Sequence, residues 1–194
     1  MSRMVKIEVQ EQPVLSMKLI SENLLIRDVA DEDAIISRTV TEYENDRVKS
    51  LGASAFQSAS QLAYAGFPEV TDTAGYVFNY CSSLVEVHLP KLGKLGNGLF
   101  AGCTKLETIT LPAAKQIYGS AFSGCTKLAE LILPGNTVPI LSANVFANTP
   151  ILAGTGYIYV KDDLVDQYKV ATNWSIVAGQ IRPVSELEGQ YGTN

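Results

Sequence analysis

Residues 84–105 read LVEVHLPKLGKLGNGLFAGCTK, and residues 106–127 follow directly as LETITLPAAKQIYGSAFSGCTK. Laid over each other, the two stretches share an opening Leu, a β-branched residue, Leu-Pro, Phe and Cys-Thr-Lys at matching places. Working outward, Phe recurs at Phe56, Phe78, Phe100, Phe122 and Phe146, with steps of 22, 22, 22 and 24. Cys81, Cys103 and Cys125 keep the same step. So do Leu62, Leu84, Leu106 and Leu128, and Pro68, Pro90, Pro112 and Pro134. Four residue types on one period identify an internal repeat. The unit from Leu62 reads LAYAGFPEVTDTAGYVFNYCSS, and the longer one from Leu128 reads LAELILPGNTVPILSANVFANTP. An incomplete unit, VKSLGASAFQSASQ, precedes them at 48–61.

The chemistry of one unit dictates its shape. Leu84, Val87 and Leu89 are apolar, and Glu86 and His88 alternate with the last two. A short strand places Val87 and Leu89 on one face and Glu86 and His88 on the other. Pro90 has no N–H for the ladder and stops the strand. A second apolar step follows at Leu92 and Leu95, then a compact turn, Gly-Leu-Phe-Ala-Gly-Cys, at 98–103. One such circuit cannot bury its apolar face alone, whereas stacked circuits bury a continuous core. The expected fold is a β-rich solenoid, with one short parallel strand per ~22-residue coil and few short helices.

The repeat L-x-x-[IVL]-x-L-P…I-x-x-x-A-F-x-x-C resembles the BspA-like leucine-rich repeat. Leu106, Ile109, Leu111, Pro112, Ile117, Ala121, Phe122 and Cys125 carry the match. YVKDDLVDQYKVATNW, with Tyr159, Val160, Leu164, Tyr168 and Trp174, is similar to that family's usual C-terminal end. Lys161 stands where the family often has Pro. The resemblance spans about residues 31–186 and implies a leucine-rich-repeat solenoid with binding or surface roles. It implies no catalytic residue.

An open solenoid exposes apolar surface at both ends and needs caps. The expected organisation is an N-terminal segment at 1–30, a first cap at 31–47, repeats at 48–152, a helical C-terminal cap at 153–186 and a frayed tail at 187–194. Within the first segment, Val5, Ile7 and Val9 alternate as in a strand, and Pro13 ends that run. At the other end, Leu152 restarts the apolar pattern, and Ala153-Gly154-Thr155 delays a strand to Tyr157–Val160. Asp162 or Asp163 is a suitable helix N-cap, with Leu164, Tyr168 and Ala171 on one face and Trp174 and Ile181 closing the lid.

Composition narrows function. The 194 residues are 46% hydrophobic and 18% charged, so the chain can bury a core and is not compositionally disordered. A net charge of -5 disfavours general binding to nucleic acid or anionic membranes. No apolar run has transmembrane length, so no membrane insertion is expected. MSRMVKIEVQEQ has no apolar stretch ahead of Glu8 and Glu11, so no secretory signal is read there.

The chain has one His, His88, with Glu86 as a candidate partner for acid–base work. Nothing nearby supplies a nucleophile or an oxyanion donor, and no enzyme is expected. The three Cys follow the repeat rather than zinc-ligand spacing, and read as a ladder of buried reduced thiols. The glycines form no phosphate-binding motif. Asp162, Asp163 and Asp166 fit no EF-hand loop. No metal or cofactor is expected.

What remains is the outward face of the strand ribbon. Alternation exposes Tyr64 and Gly66, then Glu86 and His88, Thr108 and Thr110, Glu130 and Ile132, and Tyr157 and Tyr159. All of these but Gly66 are the candidate ligand-binding residues. Such a broad, shallow surface suits a protein or a glycan better than an engulfed small molecule. The leading expectation is a non-catalytic recognition module. The alternative is a structural or receptor-binding component of a phage or prophage particle, and the corresponding locations are a cell surface or such a particle.

Overall fold

A computed structural model describes residues 41–187. The segment 1–30, the first part of the N-terminal cap and the tail beyond Leu187 lie outside the described residues. Five coils follow one another. Their first strands are β1 (Glu42–Glu44), β3 (Tyr64–Gly66), β5 (Glu86–His88), β7 (Thr108–Thr110) and β9 (Glu130–Leu133). Their second strands are β2 (Ser50–Leu51), β4 (Asp72–Thr73), β6 (Lys94–Leu95), β8 (Gln116–Ile117) and β10 (Ile140–Leu141). Pairing is parallel between strands one coil apart, as in Tyr64↔Glu86, Lys94↔Gln116 and Thr108↔Glu130. Pro68, Pro90, Pro112 and Pro134 all fall just after a first-series strand, where no ladder donor is needed. Because β1 already pairs with β3, the stack begins inside the stretch assigned to the N-terminal cap.

The third side of each coil is a turn built around the repeating Phe. Two residues per turn have positive φ: Ser54 and Ser58, Tyr76 and Tyr80, Gly98 and Gly102, Ser120 and Gly124, Asn144 and Asn148. Turns are joined from coil to coil by backbone bonds such as Phe78 N–H to Leu99 O at 2.9 Å and Phe100 N–H to Ala121 O at 2.8 Å. Inside, the rings form a column. Phe56–Phe78, Phe78–Phe100, Phe100–Phe122 and Phe122–Phe146 stack at 5.4, 5.5, 5.6 and 6.0 Å. Tyr43 and Phe67 close its N-terminal end against Phe56 at 5.3 and 5.6 Å.

The cysteines line the core beside this column. Cys81, Cys103 and Cys125 are free and buried. Each thiol donates to a Phe carbonyl of the preceding coil: Cys81 to Phe56 O at 3.0 Å, Cys103 to Phe78 O at 3.1 Å, Cys125 to Phe100 O at 3.0 Å. Burial pushes the Cys81 and Cys125 thiols from an ordinary 9.0 up to about 12. Cys103 is raised as well, by burial first and then by its two neighbouring cysteines. The unreactive neutral form is therefore the native one. Native protein at pH 8 should give almost no reaction with a thiol reagent, and denatured protein should titrate three thiols; fast native labelling of Cys103 would contradict this packing. Because these pKa values are higher in the folded state, their stabilisation is whole below pH 9.0 and is lost as pH rises from there toward about 12.

The C-terminal cap carries three corrections. After Thr149 the chain turns into α1 (Pro150–Ala153), where Thr149 Oγ1 accepts from Leu152 N–H at 3.2 Å. Ile151, not Leu152, enters the core: Leu152 is 47% exposed. The proline and the threonine cap bend the chain into a helical turn that moves the inward position by one residue. The chain returns as β11 (Tyr157–Val160), then a 3-10 turn at Asp162–Leu164, α2 (Val165–Val170), a second 3-10 segment at Trp174–Gln180 and β12 (Ile181–Pro183). Asp162 does not cap the helix; its Oδ1 accepts from Ser185 N–H at 3.2 Å. That contact with Ser185 lowers its pKa. Leu187, placed at the start of the frayed tail, is buried, and its N–H bonds Val184 O at 3.0 Å. Tyr168 and Trp174 fill the lid as their spacing suggests. Among the described residues no helix is long and apolar enough to cross a membrane.

Candidate functional site

The strand ribbon is not continuous. One sheet runs β1-β3-β5 and another β7-β9-β11-β12, so β5 and β7 are sheet edges that face each other. At the β3–β5 junction Glu86 N–H bonds Ala63 O at 3.2 Å and Phe67 N–H bonds His88 O at 2.9 Å. At the β7–β9 junction Glu130 N–H bonds Glu107 O at 3.1 Å and Leu111 N–H bonds Ile132 O at 2.9 Å. Among the described residues neither equivalent, Thr108 N–H to Val85 O nor Leu89 N–H to Thr110 O, forms between β5 and β7.

The same two coils are fully joined on their other sides. Lys94 and Leu95 pair with Gln116 and Ile117, and the Phe100 and Phe122 rings stack at 11°. The coils thus splay on the ribbon side alone. A groove of about 330 Å³ opens there, lined by Glu86, Val87, His88, Thr108, Ile109 and Thr110 with the Pro90 and Pro112 rings at one end. Val87 is half-buried, while its coil equivalents Ala65 and Ile109 are buried. Continuing the register of the β3–β5 pair would aim Val87 N–H at Thr108 O and Thr110 N–H at Val87 O. Across the break β5 and β7 do not pair, and unmade backbone bonds at a sheet edge are a template for a partner.

The structure thus gathers four of the nine candidate residues. Glu86, His88, Thr108 and Thr110 are exposed around the groove. Glu130 and Ile132 stand one strand further on, half-buried, with Thr108 Oγ1 donating to Glu130 Oε2 at 3.2 Å. Gly66, expected to face out, is buried, and Tyr64 does not project. Its ring folds along the strand over Gly66, where an added Cβ would lie 2.6 Å from Tyr64 Oη.

The expectation of two outward tyrosines at the far end fails for Tyr159, which is 3% exposed. Strand β12 pairs with β11 and sets Arg182 directly beside Tyr159, opposite Ile132, so neighbours flank the ring on both sides. Tyr157 keeps 38% exposure, with the Arg182 guanidinium 5.0 Å from its ring centre and the Tyr159 ring at 6.2 Å. Arg182 is the ribbon residue that sequence reading missed. No repeat signature announced it: each repeat strand ends apolar–Pro, as in Phe67-Pro68, Leu89-Pro90, Leu111-Pro112 and Leu133-Pro134, whereas Pro183 follows Arg182.

Comparison with known proteins agrees with this architecture. The family described as BspA type leucine rich repeat region matches residues 41–155 in 6 copies. No curated protein matches the chain. Among solved structures, a leucine rich cell surface protein from Faecalibacterium prausnitzii A2-165 is 25% identical, with a TM-score of 0.50 over 56% of this chain and 30% of that one. The leucine rich repeat protein of T. pallidum is 20% identical, with a TM-score of 0.54 over 62% of this chain and 58% of that one. The pneumococcal vaccine antigen PcpA is 15% identical, with a TM-score of 0.53 over 75% of this chain and 40% of that one. The chain therefore spans 30% to 58% of these proteins' lengths. With the family match covering residues 41–155 of the 194, the chain belongs to the BspA type leucine-rich repeat family.

Proposed function

We propose that this chain is a non-catalytic recognition module that binds a protein partner at the break between β5 and β7. The observation that carries the reading is the interrupted ladder: two facing strand edges with unmade backbone bonds, joined by an apolar floor at Val87 and Ile109. A peptide segment offers an amide N–H and C=O at every residue and so matches such edges, as in recognition by strand addition. Glu86, His88, Thr108 and Thr110 then supply side-chain selectivity at the rim. The match to a leucine rich cell surface protein supports an exposed setting in which such recognition is useful.

The test begins with selection of binders to the purified chain from a peptide display library. Replacing Glu86 and His88 together by Ala, and Thr108 and Thr110 together by Ala, should each weaken the selected peptide about tenfold or more, the scale of a central contact. The break has its own readout. Val87 and Thr110 amides should exchange with solvent faster than those of Ala65 and Ile132, and a bound peptide should slow them. Unchanged affinity in both double variants, with loss on Lys105→Ala and Lys127→Ala, would move the site to the other side of the coil.

A further inference from the structure

The two residues at positive φ in the second coil's turn are Tyr76 at +63° and Tyr80 at +58°. In the other four coils these places hold Ser, Gly or Asn. A bulky aromatic residue in the left-handed region is a backbone outlier, and folding alone gives no reason to repeat it twice in one turn. The side chains are 50% and 63% exposed, so burial returns only part of what the backbone loses. The next coil accommodates them. A Cβ on Gly98 would stand 2.7 Å from the Tyr76 ring, and a Cβ on Gly102 would stand 2.5 Å from the Tyr80 ring. Two half-exposed rings, four residues apart in the chain, thus each rest on a glycine of the same neighbouring turn.

The turns themselves carry no charge. Residues 52–60, 74–82, 96–104, 118–126 and 142–150, which form them, contain no Asp, Glu, Lys, Arg or His, and Lys105 and Lys127 follow directly after the third and fourth. Charged residues make up 18% of the chain, and none of them falls in these five turns. The exposed groups flanking the rings are hydroxyls and amides. Tyr76 N–H bonds Asn97 O at 2.7 Å, Ser58 N–H bonds Asn79 O at 2.7 Å, and Gln57 Nε2 reaches Asn79 Oδ1 at 3.2 Å. Asn97, Ser58 and Gln57 are exposed and belong to the turns bonded directly to this one.

We infer that this turn face is a second binding site, distinct from the ribbon, whose ligand is a neutral oligosaccharide. A pyranose ring has an apolar C–H face that packs on a Tyr ring, and equatorial hydroxyls that want neutral donors and acceptors at the rim. Tyr supplies a rigid apolar plate with a polar tip at little entropic cost. An acidic sugar would want Lys or Arg, and a charged peptide would want opposite charges; the turns offer neither.

The experiment is titration of the chain with hexamers of β-linked glucose, of mannose and of N-acetylglucosamine, with hexagalacturonate as the acidic comparison. Binding is read by calorimetry and by Tyr ring-proton shifts. At least one neutral hexamer should bind and shift the Tyr76 and Tyr80 resonances. Tyr76→Ser with Tyr80→Ser should weaken it at least tenfold. Those residues stand at the same places in the first coil, so the variant should keep or raise the melting temperature. Replacing Glu86 and His88 by Ala should leave the saccharide affinity unchanged, which separates this site from the ribbon. The inference is overturned if none of the neutral hexamers binds, if hexagalacturonate binds better, or if binding survives loss of both tyrosines. It is equally overturned if the double Ser variant melts at lower temperature, because the tyrosines would then serve the fold.

Discussion

Replacing Phe122 by Ala should lower the unfolding free energy by about 3–5 kcal/mol, the usual cost for a core Phe. The ring is fully buried and stacks on Phe100 at 5.6 Å and on Phe146 at 6.0 Å, nearly parallel to both. Collapse of the resulting cavity is opposed from both sides. Above and below, the turn backbones are tied by Phe100 N–H to Ala121 O at 2.8 Å and Phe122 N–H to Val145 O at 3.1 Å. Neighbouring coils therefore cannot close the gap without breaking ladder bonds, which places the expected loss toward the upper part of the range. Phe122→Leu keeps much of the volume and should cost far less, on the order of 1.5 kcal/mol. A urea titration reads both. In a solenoid each coil contacts only its neighbours, so the Ala variant should also lower the slope of the transition if the stack uncouples at the fourth coil. A loss below 1 kcal/mol would mean that Phe122 does not occupy the phase the repeat assigns to it.

The stack was legible because each coil repeats the same demands. Leu84, Leu89, Leu95, Phe100 and Cys103 are buried with their counterparts one period away, as a shared core requires. Features without a period were not legible. Ile181-Arg182-Pro183 reads as part of a lid, because it follows two helical segments rather than a turn with Phe and Cys; as β12 it flanks Tyr159 and overturns that residue's outward assignment. The break between β5 and β7 falls between the two most similar repeats in the chain. Periodicity reports which residues are equivalent, not whether equivalent backbones come within hydrogen-bonding reach. Likewise Tyr76 and Tyr80 stand out only once their φ values are known. Thus the sequence foretold four residues that meet at the groove, Glu86, His88, Thr108 and Thr110, but not the groove itself.

Trp174 closes the ring column from the C-terminal end, and Trp174→Ala should cost about 3–5 kcal/mol, the range for a large buried aromatic side chain. Its ring lies 6.2 Å from Phe146 and meets Tyr168 edge-on at 4.9 Å. Its Nε1 donates to Pro139 O at 2.8 Å, and the adjacent Asn173 Nδ2 donates to Leu141 O at 2.7 Å, so the lid is hydrogen-bonded to the last coil on both sides of β10's first residue. Trp174→Phe separates the two contributions. It keeps most of the packing and removes the indole donor, leaving the Pro139 carbonyl unpaired at a cost of about 1–3 kcal/mol. Position in the stack decides how the loss is expressed. A gap in mid-column weakens two interfaces, whereas loss of the cap weakens one end and exposes the Phe146 face to water. Amides of β10 and β11 should therefore lose protection from exchange in Trp174→Ala, while those of β3 and β4 keep theirs. Uniform loss of protection along all five coils would show instead that the stack unfolds as one unit. A destabilisation below 1 kcal/mol, with β10 and β11 still protected, would remove Trp174 from the role of lid.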